Sequence, residues 1–493
     1  MKPARYFFLF SWLFFAKNLN AQADTLRLSL EEVVTLAQND APDALIAETQ
    51  MKTSYWSYRT YQADYKPLIA LTGTLPDLNR SIQAVTQPDG TDIFVQRSQM
   101  RNGVGLSLQQ QIAPTGGILF ARTGLERLDI FQSAASNKVS YFSTPIAIGF
   151  RQPIIAYNNL KWNKRIEPLR YQEATREYAE KMENIALNVT SLFFEVFIAQ
   201  LNYASAKRDK ANADTLYEIS KGRFEVGRIA ETELLQIELS AMNSDAFMQQ
   251  SLLALQTGTE RLRNFLGIKK AIAFSMEEPV EIPQFQVDPT LAMQYAKANR
   301  SETIQFERRL VEADARVAEA KAQSGFQFDI EGAFSLSQTA GSLDDAYRNP
   351  LDNEVLSLNL RIPIFDWGKA KALYETANSL REVERMSVGQ EQVNFEQEII
   401  LKVKQFDLLR KQVALAQRAY EVSVKREEMT RNRYYIGKIG VTDLNIAVGE
   451  KESARKGYMD SLRAFWLSYY DLRQATMYDF ERQVPLVKRV EGY

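Results

Sequence analysis

The sequence predicts an α+β chain in which clusters of half-buried strands alternate with very long antiparallel helices, and in which this plan is written twice. Three observations lead there: an internal repeat, two long proline-free tracts, and strict period-two alternation confined to two segments far apart in the chain.

The N-terminus reads as a secretory signal peptide, residues 1–23. Lys2 and Arg5 supply the basic region, Tyr6 to Ala16 a short apolar core, and Ala21-Gln22-Ala23 small residues at cleavage spacing. About eleven apolar residues are too few to cross about 30 Å of hydrocarbon, which argues against the rival reading of an uncleaved anchor. No later segment reads as a transmembrane helix. The most apolar stretch, Leu187 to Leu201, is broken by Asn188, Thr190, Ser191, Glu195 and Gln200. An exported chain that enters lipid without apolar helices has to do so as a closed β-barrel.

The repeat aligns GRFEVGRIAETELLQIEL (Gly222 to Leu239) with NRYYIGKIGVTDLNIAVG (Asn432 to Gly449). Arg223 matches Arg433, Phe224 matches Tyr434, Gly227 matches Gly437, and Ile229 matches Ile439. The same register pairs FRQPII from Phe150 with LRIPIF from Leu360, and more loosely LEEVVTLAQNDAP from Leu30 with LAMQYAKANRSET from Leu291. Each half therefore runs short helix, rising helix, strands, very long helix, glycine turn, returning helix. The first half holds the longer strand region.

No proline falls between Pro168 and Pro279, or between Pro363 and Pro485. Leu169 to Lys221 also lacks glycine, and as one helix it would be about 80 Å long. Ile185, Val189, Leu192, Val196, Ala199, Tyr203 and Ala206 step by three and four. Ile399, Val403, Phe406, Val413, Tyr420 and Val424 follow a similar seam, interrupted by Arg410 and Gln417. These are coiled-coil spacings, and taken alone they suit a plain antiparallel coiled coil as well.

In the strand segments, Val104, Leu106 and Leu108 alternate with Gly105, Ser107 and Gln109. Ile146, Ile148 and Phe150 alternate with Ala147, Gly149 and Arg151. In the second half, Phe326, Phe328 and Ile330 do so with Gln327, Asp329 and Glu331, and Leu356 to Ile364 follows suit. One apolar face meets a second sheet in a soluble sandwich and lipid in an outer-membrane barrel. So few strands in two separate clusters bury their edges only by pairing with copies of themselves. A Pro-Thr-Gly-Gly turn at Pro114 to Gly117 marks an additional hairpin within about 103–125, whose place in or outside the barrel stays open. Asn79 to Asn102 and Thr339 to Glu354 read as polar loops.

The glycine turns come last in each half. Gly222 and Gly227, then Gly437 and Gly440, sit where the long helices reverse, and Thr232 and Thr442 are candidate caps of the returning helices. Cysteine and histidine are both absent. That removes His-based triads, Cys nucleophiles, His-ligated haem and the usual zinc sites. An enzyme using carboxylates alone stays open as a third reading, but nothing singles out a pair, so no enzyme chemistry, cofactor or metal is expected. The 60 Lys and Arg and 61 Asp and Glu are well mixed, which gives no reason to expect a nucleic-acid partner.

The two tips, VGRIAETEL (Val226 to Leu234) and IGKIGVTDL (Ile436 to Leu444), and the junctions RQPII and RIPIFDWGKAKA (Arg361 to Ala372) carry a resemblance to the TolC-type outer-membrane efflux protein family over nearly the whole mature sequence. That resemblance implies a homotrimer: a shared outer-membrane β-barrel, four strands from each copy, continuous with a long periplasmic α-helical barrel. The implied plan is a signal peptide at 1–23 and a first repeat at 24–267, with strands at about 67–153, a helical hairpin at about 160–267 and its tip at 222–234. An equatorial link at 268–289 follows. The second repeat is 290–480, with strands at about 326–364, a hairpin at about 367–480 and its tip at 432–444, and the tail is 481–493.

The implied partners are the chain itself, outer-membrane lipid, a periplasmic adaptor and an inner-membrane pump of RND, ABC or MFS type. The implied work is passive conduction in tripartite efflux or type I secretion. In the family pattern a tyrosine of the second hairpin bonds an acidic residue of the first. Tyr434 and Glu233 match, with Glu in place of Asp. Thr232 matches the threonine of a second link whose arginine is here Ile439. Asp443 matches one of two acidic constriction rings, while Ile446 replaces the other. Gly227, Arg228 and Ile229, with Gly437, Lys438, Ile439 and Gly440, fall where the adaptor docks. The competing reading is a soluble periplasmic coiled-coil scaffold or adaptor.

Overall fold

The computed structural model describes residues 25–131, 138–270, 272–279, 281–436 and 438–487. The signal-peptide reading at 1–23, Gly437 and the end of the tail lie outside the described residues.

The first half begins with β1 (Thr25–Leu28), α1 (Leu30–Asp40) and α2 (Pro42–Ala63). Four strands follow: β2 (Leu68–Thr86), β3 (Asp92–Ile112), β4 (Gly117–Phe131) and β5 (Lys138–Ile155). Two helices complete it, α3 (Asn159–Glu225) and α4 (Glu231–Phe265). The second half begins with β6 (Ala273–Met276), α5 (Pro289–Asn299) and α6 (Ser301–Ser324). Then come β7 (Gln327–Ala340), β8 (Leu351–Arg361), α7 (Lys369–Tyr435), α8 (Val441–Thr476) and the short β9 (Tyr478–Asp479) and β10 (Val484–Pro485). The helices α3 and α7 each run 67 residues, about 100 Å of helix. Such lengths require lateral packing throughout, because propensity alone does not hold a helix in water.

The chain divides into two compact units. One comprises Met1–Leu45, Ile185–Gln284 and Gln412–Leu467. Its centre is aromatic: Phe193, Phe194 and Phe197 are buried on α3, with Phe193 edge-on to Phe194 at 5.5 Å. Leu262, Leu462 and Phe465 are buried with them in the same unit. One window of α3 is apolar enough to cross a membrane by composition, but half of it is buried within the protein. Ser29 caps α1 with a capping box to Glu32. β1 pairs in parallel with β6, and Gln200 closes that bridge by accepting from the Met276 N–H at 3.0 Å.

The other unit comprises Ile46–Asn184, Phe285–Lys411 and Ser468–Tyr493. It holds one antiparallel sheet in the order β2-β3-β4-β5-β7-β8. The family resemblance implied four strands; the sheet has six. The difference is the Pro114–Gly117 turn, which folds β3 and β4 into an extra hairpin paired from Ser98↔Phe131 to Ile112↔Gly117. The Asn79 to Asn102 stretch, expected as a loop, is mostly paired strand: β2 and β3 continue to Thr86↔Asp92. Its two faces both mix polar side chains with apolar ones, Ile82 and Phe94 on one and Val85, Ile93 and Val95 on the other, so no clean alternation marks it. In the 339–354 stretch, only the middle is loop, with a single turn of 3-10 helix at Asp345–Tyr347.

The chain's return, on which Tyr295 of α5 stacks through Tyr478 at 3.7 Å, holds a buried ion cluster with α3. Arg473 donates to both oxygens of Glu183, at 3.0 and 3.2 Å, and to Asp479 at 2.7 Å. Both carboxylates are almost wholly buried. Asp479 also accepts from the backbone N–H groups of Glu481 and Arg482. Removing one member of such a cluster strands the others in low dielectric. Arg473→Leu should therefore lower stability by about 3–5 kcal/mol, read as an earlier unfolding midpoint by circular dichroism in detergent.

Candidate functional site

The two helical turns are built alike. In the first, Gly227 has a φ of 72°, a left-handed conformation that glycine takes at little cost. Its N–H donates to the Phe224 carbonyl at 2.8 Å, and the Arg228 N–H donates to that of Arg223 at 2.9 Å. In the second, the Lys438 N–H donates to the Arg433 carbonyl, also at 2.9 Å. These bonds close the last carbonyls of α3 and α7. Gly222 lies inside α3 rather than in the turn. Thr232 and Thr442 do not cap. α4 starts at Glu231, after an Ala230 cap that makes no side-chain bond, and α8 starts at Val441, so both threonines sit within the first turn.

The second turn is seated in an apolar cluster. Tyr434, Ile237, Val441 and Leu444 are buried together, with Leu216, Tyr217, Ile439 and Val448 packed on them. Tyr434 is thus placed beside α4, the helix that carries Glu233. Glu233 is half-buried, while Thr232 and Asp443 are exposed. Ile439 belongs to this cluster, so the position that would hold an arginine in the family pattern contributes apolar packing instead. Ile229 is half-buried, and Arg228, Lys438 and Gly440 are exposed at the ends of the two turns.

The sheet has two chemically distinct faces. The strand registers put Leu71, Leu106, Leu119, Phe150, Phe334 and Leu356 on one face, one from each strand. Each is between 40% and 73% exposed. The other face carries Thr72, Ser107, Arg122, Arg151, Glu331 and Asn359, with Arg151 bonded to Glu331 at 2.9 Å. The apolar run on β7 from Phe328 to Leu336 covers about 26 Å of strand. Tilted by about 40°, it approaches the apolar band about 25 Å tall of an outer-membrane barrel. Just past β8, Phe365 and Trp367 meet edge to face at 4.3 Å and are 69% and 88% exposed. Exposed aromatic rings at the edge of an apolar band are the mark of a membrane–water interface.

A further feature was legible in the sequence and not read from it. On α7, Ile399, Phe406, Val413 and Tyr434 fall on the buried seam, where the same seven-residue spacing also places Glu427. Two residues further on, Leu401, Leu408, Leu415, Val422 and Met429, with Ile436 just past the end of α7, repeat at strict sevens and are all more than half exposed. A 3.5-residue period holds a stripe on one side of a helix, so this is a second seam facing away from the first. Among the described residues, no group of three or more Asp and Glu is arranged to hold a metal ion.

The profile of a known family, described as outer membrane efflux protein, matches residues 292–476. Outer membrane protein TolC of Vibrio cholerae is 23% identical over 319 residues, covering 62% of this chain and 70% of that protein. Among solved structures, a membrane protein from Pseudomonas aeruginosa superposes with a TM-score of 0.66 at 13% identity, over 93% of this chain and 92% of its own. The CmeC outer membrane channel of Campylobacter jejuni gives the same score at 15% identity, over 91% and 85%. The fold is that of these channels, with mixed helix and strand.

Gly227→Ala forces a side chain into the left-handed region. It should destabilise the first turn by about 1 kcal/mol, seen as roughly fivefold faster hydrogen exchange at Arg228 with little change in the body of α3.

Proposed function

We infer that this chain, a TolC-type outer-membrane efflux protein, is the outer-membrane channel of a tripartite efflux assembly. One observation carries the reading: a sheet with an exposed apolar face, a polar opposite face and unpaired strands at both ends. Such a sheet is consistent with lipid on one side and water on the other. A soluble scaffold would leave the same face exposed to water along every strand.

The assembly is a homotrimer, as in the family. Copies join at the sheet edges to close a barrel, and their helices close a periplasmic tunnel. The second seam of α7 supports this, because six exposed apolar residues in heptad register need a neighbouring helix. Phe365 and Trp367 sit at the periplasmic interface of the bilayer, and strands 68–155 and 327–361 hold the membrane part. The chain performs no chemistry. Solutes move down a water-filled path, and the energy comes from an inner-membrane pump reached through an adaptor. The two turns, with Gly227, Arg228 and Ile229 on one and Lys438, Ile439 and Gly440 on the other, dock that adaptor. Gly437 belongs to the same turn by sequence. Closure at rest rests on Tyr434 and Glu233, with the apolar cluster at Ile439 in place of a second polar link. Thr232 and Asp443 line the constriction.

The second seam is tested by Leu408→Glu combined with Leu415→Glu. Buried charge without a partner is costly, so the variant should lose the trimer in light scattering after detergent extraction while keeping its helical signal. A trimer of unchanged stability would contradict the reading. Closure is tested by Tyr434→Phe. Loss of one hydrogen bond, about 1 kcal/mol, should raise the open population roughly fivefold. Planar-bilayer recordings should then show higher mean conductance, and unchanged conductance would count against the role.

A further inference from the structure

We propose that each copy contributes all six of its strands to the membrane, so that the assembled barrel has eighteen strands. The inference rests on the homotrimeric channel reading. With four strands per copy the barrel would have twelve.

The register carries the argument. β3 and β4 are not an appendage. β3 pairs with β2 from Leu68↔Gln109 upward, and β4 pairs with β5 from Ile118↔Arg151. The extra hairpin therefore lies inside the sheet, between β2 and β5, and cannot leave without breaking the sheet on both sides. The two faces agree. The apolar face continues across it through Leu106 and Leu119, and the polar face through Ser107 and Arg122. A hairpin folded away into water would have no reason to match the lipid-facing pattern of its neighbours.

Closure is also consistent. The sheet is antiparallel throughout, with an even number of strands, so β2 and β8 run in opposite directions at its two ends. β2 of one copy can then pair with β8 of the next in the same antiparallel pattern that joins every other pair, and three copies of six strands complete the ring.

The consequence is width. At about 4.8 Å between strands and a tilt of about 40°, eighteen strands enclose a ring about 36 Å across between backbones, against about 24 Å for twelve. The polar face that lines it is small or charged, with Thr72, Ser107 and Arg122 in the first half. The barrel then does not select cargo. Selection falls to the turns of the helical hairpins, and bulky hydrated solutes that pass them meet no second filter.

The natural chain has no cysteine, so nitroxide labels can be placed singly at Leu106→Cys and Leu119→Cys in the extra hairpin, and at Ile148→Cys and Leu358→Cys outside it. All four sites are exposed on the chain's own apolar face, so labelling should leave the fold intact. In proteoliposomes, eighteen strands predict high oxygen and low nickel-chelate accessibility at all four, several-fold apart from a label at Thr91→Cys in the β2–β3 turn. Lipid exposure at 148 and 358 with water exposure at 106 and 119 overturns the eighteen-stranded barrel and leaves the channel intact. Water exposure at all four overturns the membrane reading as well.

Discussion

A strand at the end of a sheet presents a row of N–H and C=O groups that water can satisfy and hydrocarbon cannot, at several kcal/mol for each group left bare. β2 and β8 both stand in this position, at the two ends of a sheet whose apolar face is exposed. An apolar face asks for lipid, and lipid forbids the bare edges. The two demands are met together only when each edge finds an edge of another copy. In the proposed channel an even strand count, opposed edge directions and self-association all answer that one constraint. There the even count keeps the junction antiparallel, and the two-faced alternation separates lipid from water.

The helices meet a related problem by different means. A helix of 67 residues is stable only where side chains pack along it, and α7 carries two seams to allow that. The buried seam meets its own chain, including a carboxylate, Glu427, which Arg431 bonds at 2.5 Å. The exposed seam is as regular and has no cover within one copy. In both the sheet and the helices, the single chain folds completely and still leaves apolar surface of defined geometry. Such surface is a normal property of a subunit and an aggregation hazard in a monomer. At the second turn, Ile439 packs on the buried Tyr434 and Leu444, putting apolar contact where the family pattern has its second polar link.

Much of this was legible in the residues. The repeat, the proline-free tracts and the glycine turns have strong local signatures, because helix length and a left-handed residue each restrict which amino acids can stand there. The bonds from Arg228 to Arg223 and from Lys438 to Arg433 fall at the positions that the sequence repeat aligns. Period-two alternation marked the strands wherever one face is apolar. It failed from Asn79 to Asn102, where both sides of the ribbon mix polar and apolar residues and only backbone pairing defines it. It left the Pro114–Gly117 hairpin unplaced, because the order of strands in a sheet depends on long-range pairing that no local period encodes. The caps at Thr232 and Thr442 were each misread by two residues, the ordinary uncertainty of a helix end without a bonded cap. The role of Ile439 was invisible for another reason: a missing arginine says what is lost, and only the cluster around Tyr434 says what stands in its place.

The central claim is that the sheet closes by edge-to-edge pairing between copies. Disulfide trapping tests it directly, since the chain supplies a cysteine-free background. A cysteine at Ala70 on β2 would be combined in turn with single cysteines along β8 from Asp352 to Leu360, and the protein oxidised in its native membrane. Edge pairing predicts covalent dimers and trimers at the positions brought into register, and none between the same residues of one chain. Crosslinks confined within single chains, or none at any position in correctly inserted protein, would contradict it.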